Sequence, residues 1–369
     1  MFLKKLAESN SILEHIAEDV VRWRVWMPRM IDLEISRICN LKCPGCVRNA
    51  PSSLIYREDE PKYCTLNRVR DIMEEIPSLM TFNFMGDGEP LCNPEFNDII
   101  EYISSKKLNT IVTTNGTLLN KETVDKWERN RVYRVHISVD GTKKETYENI
   151  RVGAEFGKIK ENLKIVGSSD IALCINMLIF ENNIDEMPAM VGLCKEVGAK
   201  DVTFLMPICT LGSDLGGEVE RPKVNLKNYE IFQATKRLCR ELGVRWIFPI
   251  DLNPMFRRLS FPFIRPEVSL EGDIYSCCYM IGRGKTWFDG KLVDIASEDY
   301  NFGNMFKKGF KNIWYGPDMR ELRETIKRTE RKRGLVITRD ELTGMRDNVP
   351  EGRFKYCEAC LPRWGMACS

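Results

Sequence analysis

The chain has no run of about eighteen apolar residues, so nothing in it reads as crossing a bilayer. It also has no excess of one charge. Its 55 Lys plus Arg nearly cancel 53 Asp plus Glu, which argues against a dedicated nucleic-acid binder. The first residues, MFLKKLAESNSILEHIAEDVVRWRVWM, lack the unbroken apolar core and small-residue cleavage site of a secretory signal, and the cytoplasm is the expected location. No internal repeat is visible, so a repeat array is excluded. What remains is an ordinary globular composition, 43% hydrophobic and 29% charged, over 369 residues. That length suits one large domain plus a smaller one.

Cysteine is plentiful, with 14 residues, and without a secretion signal these point to metal binding or chemistry more than to disulfides. Cys39, Cys43 and Cys46 lie within eight positions, Cys277 and Cys278 are adjacent, and Cys357, Cys360 and Cys368 close the chain. Cys64, Cys92, Cys174, Cys194, Cys209 and Cys239 are scattered and read mostly as small buried hydrophobes.

From residue 31 onward, short β-branched runs alternate with amphipathic segments of helical period. Strands are expected at 30–36, 81–86, 109–115, 132–140, 171–179 and 201–207, and helices near 67–77, 94–106, 120–130, 157–167 and 185–197. Six such alternations predict an α/β fold with a parallel sheet, open or curled into a partial barrel, and a site at the carboxyl ends of the strands. Residues 211–225 read as a linker or loop and 226–242 as a further helix. VSLEGDIYSCCYM reads as a hairpin about its Glu-Gly-Asp turn, and a helix begins near Pro317. The basic stretch 326–334 reads as a solvated helix end.

Thiolates are soft ligands that favour zinc or iron-sulfur clusters. Three cysteines on a loop after a first strand can hold three corners of a cubane 4Fe-4S cluster, leaving one iron for a ligand that is not protein. The spacing C-x3-C-x2-C in ISRICNLKCPGCVRN closely resembles the signature of the radical SAM superfamily. Three further stretches agree in order. FMGDGEPL, at the end of the second strand, looks like the family's Gly-Gly-Glu motif with Asp87 inserted between Gly86 and Gly88. TTNG ends the third strand and SVDG the fourth.

The resemblance implies a partial (β/α)6 TIM-like barrel in which the amino and carboxylate groups of S-adenosylmethionine complete the cluster at Cys39, Cys43 and Cys46. It assigns Gly86, Asp87, Gly88, Glu89, Thr114, Asn115, Ser138 and Asp140 to cofactor binding. Glycines there let backbone carbonyls approach the cofactor's ammonium group, beside which Glu89 adds negative charge. Before the third cysteine, where the family commonly places a residue that packs on the adenine, this chain has Gly45. Adenine contacts are then expected from 175–180 or 204–207.

The last hundred residues resemble SPASM and twitch extensions through GDIYSCCY, FGNMFKKGFKNIW and CEACLPRWGMAC. A full SPASM extension has seven cysteines for two auxiliary clusters, and five here imply one auxiliary 4Fe-4S cluster. Its expected ligands are Cys277, Cys357, Cys360 and Cys368, with Cys278 as substitute for Cys277 or Cys368. The C-x2-C pair by itself fits a zinc clip equally well. The implied organisation is an N-terminal helical cap at 1–30, a core at 31–210, a linker with bridging helix at 211–264 and the extension at 265–369.

The implied chemistry is reductive cleavage of S-adenosylmethionine to a 5'-deoxyadenosyl radical that takes a hydrogen atom from a substrate C–H bond. An electron donor such as flavodoxin or ferredoxin is implied as partner. The substrate is expected to be a peptide or protein side chain that is oxidised or crosslinked, with a sugar or aminocyclitol as the small-molecule alternative. A non-catalytic iron-sulfur or zinc protein is the reading from another class. Cys209 is the first choice for a hydrogen donor to a product radical. Cys368 as a methyl-carrying cysteine is the lesser idea. His15 reads as a surface residue, His136 as a satisfied core histidine, and Tyr275, Tyr279 and Trp364 as shields of the auxiliary cysteines.

Overall fold

The computed structural model describes residues 27–44, 46, 48, 61–205, 226–247, 265–275, 285–288, 291–294 and 300–333. Seven strands run parallel and side by side in chain order: β1 (Met30–Glu34), β2 (Thr81–Met85), β3 (Asn109–Thr114), β4 (Val132–Ser138), β5 (Ala172–Leu178), β6 (Asp201–Leu205) and β7 (Arg245–Ile247). Helices α1 (Leu66–Glu75), α2 (Phe96–Ser105), α3 (Lys121–Arg129), α4 (Lys144–Ile150), α5 (Phe156–Gly167), α6 (Met187–Val197) and α7 (Leu226–Leu242) make the crossovers. Capping fixes where they begin. Thr65 accepts the N–H of Arg68 at the start of α1, and Asn120 that of Thr123 at the start of α3.

Strand alternation separates two faces. On one, Ile31, Leu33, Phe82, Phe84, Val112, Val135 and Ile137 are buried against the apolar sides of the helices. Phe84 meets Phe96 edge-on at 5.2 Å, and Phe96 meets Trp127 at 6.0 Å. On the other lie Asp32, Glu34, Asn83, His136, Ser138, Asn176 and Asp201, in lateral register from strand to strand. A polar inner face against an apolar outer one keeps hydrogen-bonding and charged groups inside the curl of the sheet, where a ligand can use them.

The expected six alternations are present, and α7 with the three-residue β7 adds a seventh parallel strand within the stretch read as linker and bridging helix. The later strands join the opposite edge. β8 (Glu267–Val268) pairs parallel with β1, and β9 (Asp273–Tyr275) and β12 (Asn301–Asn304) continue antiparallel beyond it, so one sheet of ten strands runs from β12 to β7. The Glu-Gly-Asp hairpin is thus β8–β9. A separate hairpin joins β10 (Lys285–Phe288) to β11 (Lys291–Asp294). Short helices α8 (Met305–Lys308) and α9 (Phe310–Trp314) bury Met305, Phe310, Ile313 and Trp314, and α10 (Pro317–Arg333) follows. Glu75 of α1 accepts the N–H of Phe310, and Arg68 stacks over Phe306 at 4.3 Å. No helix among the described residues is long and apolar enough to cross a membrane.

Candidate functional site

β1 runs into the cysteine loop, and neighbouring backbone holds that loop in place. Arg37 donates its N–H to the carbonyl of Lys62, Cys64 to Ile35, and Glu89 to Ile38 at 2.7 Å. The Asn93 side chain donates to the carbonyls of Ile35 and Cys64. At Gly88 a Cβ would lie 2.3 Å from the carbonyl oxygen of Ser36, so only glycine lets the β2 loop press against the cysteine loop here.

Cys39, Cys43 and Cys46 open onto a cavity of about 250 Å3, and every other residue that the sequence assigns to cofactor binding lines it too: Gly86, Asp87, Gly88, Glu89, Thr114, Asn115, Ser138 and Asp140. Four segments distant in sequence thus meet at the carboxyl ends of β1 to β4. Most of the polar groups among them are engaged with one another. Glu89, 2% exposed, accepts Thr114 Oγ1–H at 2.6 Å, the Asn115 N–H at 2.8 Å and the Leu91 N–H at 3.2 Å. Burial pushes its carboxyl above the usual range, and these three donors oppose the shift. Asn115 donates to Asn40 Oδ1 at 2.9 Å and to the sulfur of Cys39 at 3.7 Å, and Asn40 donates to Thr117. Asp140 accepts the N–H of Leu178 and the Nε–H of Arg151.

Asn40, Thr117 and Arg151 lie outside the motifs. Thr117 belongs to the same turn as TTNG and Asn40 is next to Cys39, so adjacency was the available signal for those two. For Arg151, just past the unforeseen α4, there was none. Leu178 and Phe180 line the cavity and give it an apolar wall within the 175–180 stretch expected near the adenine. Phe204, from the other expected stretch, is buried against Trp246 at 5.1 Å instead.

The donor set fits an iron-sulfur cluster. Three soft thiols share the cavity, while no three Cys, His, Asp or Glu side chains among the described residues converge as a single-ion site. A cubane spreads its irons over separate corners, so its ligands surround a space without meeting at a point. The Tyr147 hydroxyl is buried with no hydrogen-bond partner among the described residues, and burial pushes its pKa up. Burial pushes the Cys46 thiol up to about 11 and raises that of Cys43, which Arg151 opposes, so ligation must displace protons from both.

Of the scattered cysteines, Cys64, Cys174, Cys194 and Cys239 are buried and Cys92 half-buried. His136 shares a 3.3 Å hydrogen bond with Asn176 on the inner face, and burial lowers its pKa. Tyr275 is buried on β9. Outside the described residues lie the stretch before residue 27 expected to be a helical cap, His15, Gly45, Cys209, the stretch 211–225 expected to be a linker or loop, Cys277, Cys278, Tyr279, Cys357, Cys360, Trp364 and Cys368.

Comparison with known proteins places these features in context. A family model described as the Radical SAM superfamily matches residues 33–194, and one described as SPASM, an iron-sulfur cluster-binding domain, matches residues 262–360. The AdoMet-dependent heme synthase of Methanosarcina barkeri is 30% identical over 317 residues, covering 80% of this chain and 85% of that protein. The mycofactocin maturase MftC of Mycolicibacterium smegmatis is 24% identical over 314 residues, covering 80% and 73%. Among solved structures, Streptococcus suis SuiB bound to its precursor peptide SuiA has a TM-score of 0.60 at 15% identity, covering 84% of this chain and 70% of that one. SuiB bound to S-adenosylmethionine has a TM-score of 0.61 at 16% identity, covering 85% and 71%.

Proposed function

The chain belongs to the radical SAM superfamily and carries a SPASM iron-sulfur extension, and on that footing we propose that it oxidises or crosslinks a side chain of a peptide or protein substrate. The observation that carries this reading is the meeting of Cys39, Cys43 and Cys46 with the ends of β2, β3 and β4 around one cavity. A passive metal protein has no use for such a wall of strand ends. The peptide substrate draws support from the similarity to MftC and to SuiB, the latter solved with a precursor peptide.

In this reading Cys39, Cys43 and Cys46 hold a 4Fe-4S cluster, and Cys277, Cys357, Cys360 and Cys368 hold the auxiliary one, with Cys278 as the substitute for Cys277 or Cys368. Bound at the first site, the cluster and S-adenosylmethionine supply a 5'-deoxyadenosyl radical for hydrogen abstraction. The chain's own residues bind, orient and shield. Gly86 to Glu89 form one wall, Ser138 and Asp140 another, and Leu178 with Phe180 give an apolar face for the adenine. Excluding water from this cavity protects a reactive species from side reactions. A flavodoxin or ferredoxin is proposed as the electron source.

The 30% identity to a heme synthase over 85% of its length favours a second reading, in which the substrate is a heme precursor. The experiment supplies reconstituted protein with dithionite, S-adenosylmethionine and either a peptide encoded beside its gene or an iron porphyrin. Formation of 5'-deoxyadenosine, with loss of two hydrogens from the peptide, is the expected result. Turnover with the porphyrin alone moves the assignment to the second reading. No 5'-deoxyadenosine from protein with intact clusters overturns both.

A further inference from the structure

The sequence reading gives Asp140 to the cofactor, yet in the structure both its oxygens are taken up by protein. Oδ1 accepts the N–H of Leu178 at 2.7 Å, and Oδ2 accepts the Nε–H of Arg151 at 2.6 Å. The Asp140 side chain is 2% exposed and that of Arg151 19%. Arg151 and Cys43 line the same cavity, and the Arg151 charge opposes the rise that burial gives the Cys43 thiol pKa.

Backbone contacts leave the guanidinium little room to turn away. Arg151 caps α4 by donating its N–H to the Tyr147 carbonyl at 2.8 Å. The next residue, Val152, accepts the N–H of Lys42 at 2.9 Å, tying the chain after Arg151 to the residue before Cys43. The start of α4 packs close against the SVDG turn, where a Cβ on Gly141 would lie 2.8 Å from the Tyr147 nitrogen. Cation, sulfur and carboxylate are therefore placed by three separate segments.

We infer that Arg151, the cation that Asp140 holds in the cavity shared with Cys43, sets the reduction potential of the cluster held by Cys39, Cys43 and Cys46, and that Asp140 is the positioning residue behind it. This rests on the cluster reading proposed above. Reduction adds one electron to a cluster whose ligands are already anionic. A fixed cation in the same cavity stabilises that added charge more than it stabilises the oxidised form, and burial strengthens the difference. The guanidinium fork matters as well as its charge, because its Nε–H edge is what Asp140 holds at 2.6 Å.

The test is an EPR-monitored redox titration of anaerobically reconstituted full-length protein without S-adenosylmethionine, with parent, Arg151→Gln and Arg151→Lys compared at equal iron content. The auxiliary signal is subtracted with a variant in which Cys39, Cys43 and Cys46 are all alanine. At the parent midpoint, Arg151→Gln should show a reduced-to-oxidised ratio about tenfold lower, equivalent to about 59 mV for one electron. Arg151→Lys, which keeps the charge and loses the fork, should fall between. Potentials equal to the parent overturn the inference, even if affinity for S-adenosylmethionine falls, because Arg151 would then act on the cofactor alone. If Arg151→Gln assembles no cluster, Arg151→Lys decides by the same criterion. A parent with no cubane signal at the first cysteine trio overturns the cluster reading itself.

Discussion

Thr114 donates its hydroxyl to the buried carboxylate of Glu89 at 2.6 Å, joining the end of β3 to the loop after β2. The same hydroxyl oxygen accepts the N–H of Gly116, and the second carboxylate oxygen takes the N–H of Asn115. Glu89→Ala should cost on the order of 2–4 kcal/mol, because it strands buried donors. Glu89→Gln should cost about half as much, since its amide cannot accept from Asn115, Thr114 and Leu91 together. Urea denaturation checks the stability loss, and equilibrium dialysis should show weaker binding of S-adenosylmethionine to both variants.

Gly88→Ala puts a methyl group 2.3 Å from the Ser36 carbonyl oxygen and 2.7 Å from that of Ile38. The obstacle is backbone, so the cysteine loop must move. A destabilisation of about 1–3 kcal/mol is expected. Iron and sulfide assays after reconstitution should find the first cluster site substantially empty while the auxiliary site fills.

Arg37 is shared between two carboxylates. It grips Glu34 at 2.9 Å and Glu271, in the β8–β9 turn, at 2.6 and 2.8 Å. One guanidinium balances one negative charge. Glu271, 33% exposed, keeps its charge with its pKa lowered by Arg37, while burial pushes the Glu34 carboxyl up from 4.5 to about 7. A raised carboxyl stabilises the fold fully below its unfolded pKa, and that contribution is lost as pH rises through the folded value. Stability should therefore decline from about pH 5 to 7.5 by up to about 3 kcal/mol through this group, and Glu34→Gln should flatten the decline in denaturation curves taken across that window. Arg37→Met, which leaves the buried Glu34 and the half-exposed Glu271 without their cation, should cost about 3–5 kcal/mol.

Glu186 holds the amino end of α4. Its carboxylate accepts the hydroxyls of Thr142 at 2.7 Å and Thr146 at 2.6 Å, together with the backbone N–H groups of Thr142 and Lys143. Although burial works against it, these donors lower its pKa, so its contribution is present above about pH 4.5 and is lost as pH falls through the folded value. Glu186→Gln should cost about 1–3 kcal/mol at pH 7. Thermal melts of variant and parent should converge as the pH is taken below about 4.

The strands of the core were legible because each is a short β-branched run between turn residues, and all six fall within the ranges that the pattern marks. α4 was not, since KETYENI is seven residues of mostly polar character with a single fully buried side chain, Tyr147. β7 is only three residues long, and β10–β11 carries little alternation to separate it from its surroundings. Within the site, motifs brought the right residues to one cavity but did not disclose their partners. Glu89 with Thr114, Asn115 with Asn40 and Asp140 with Arg151 are tertiary pairs, and local spacing records which elements end where without recording what crosses between them.

The strand that delivers the cysteines has a neighbour on either side, β2 and β8, and β8 comes from the extension. Cutting the chain before residue 265 would uncover the Asp32 N–H, which donates to the Pro266 carbonyl at 3.0 Å, on the strand that also carries Ile31 and Leu33. A bare border of that kind recruits foreign strands. The trimmed core would therefore be lost to self-association, and the segment that supplies β8 serves as the guard of that border.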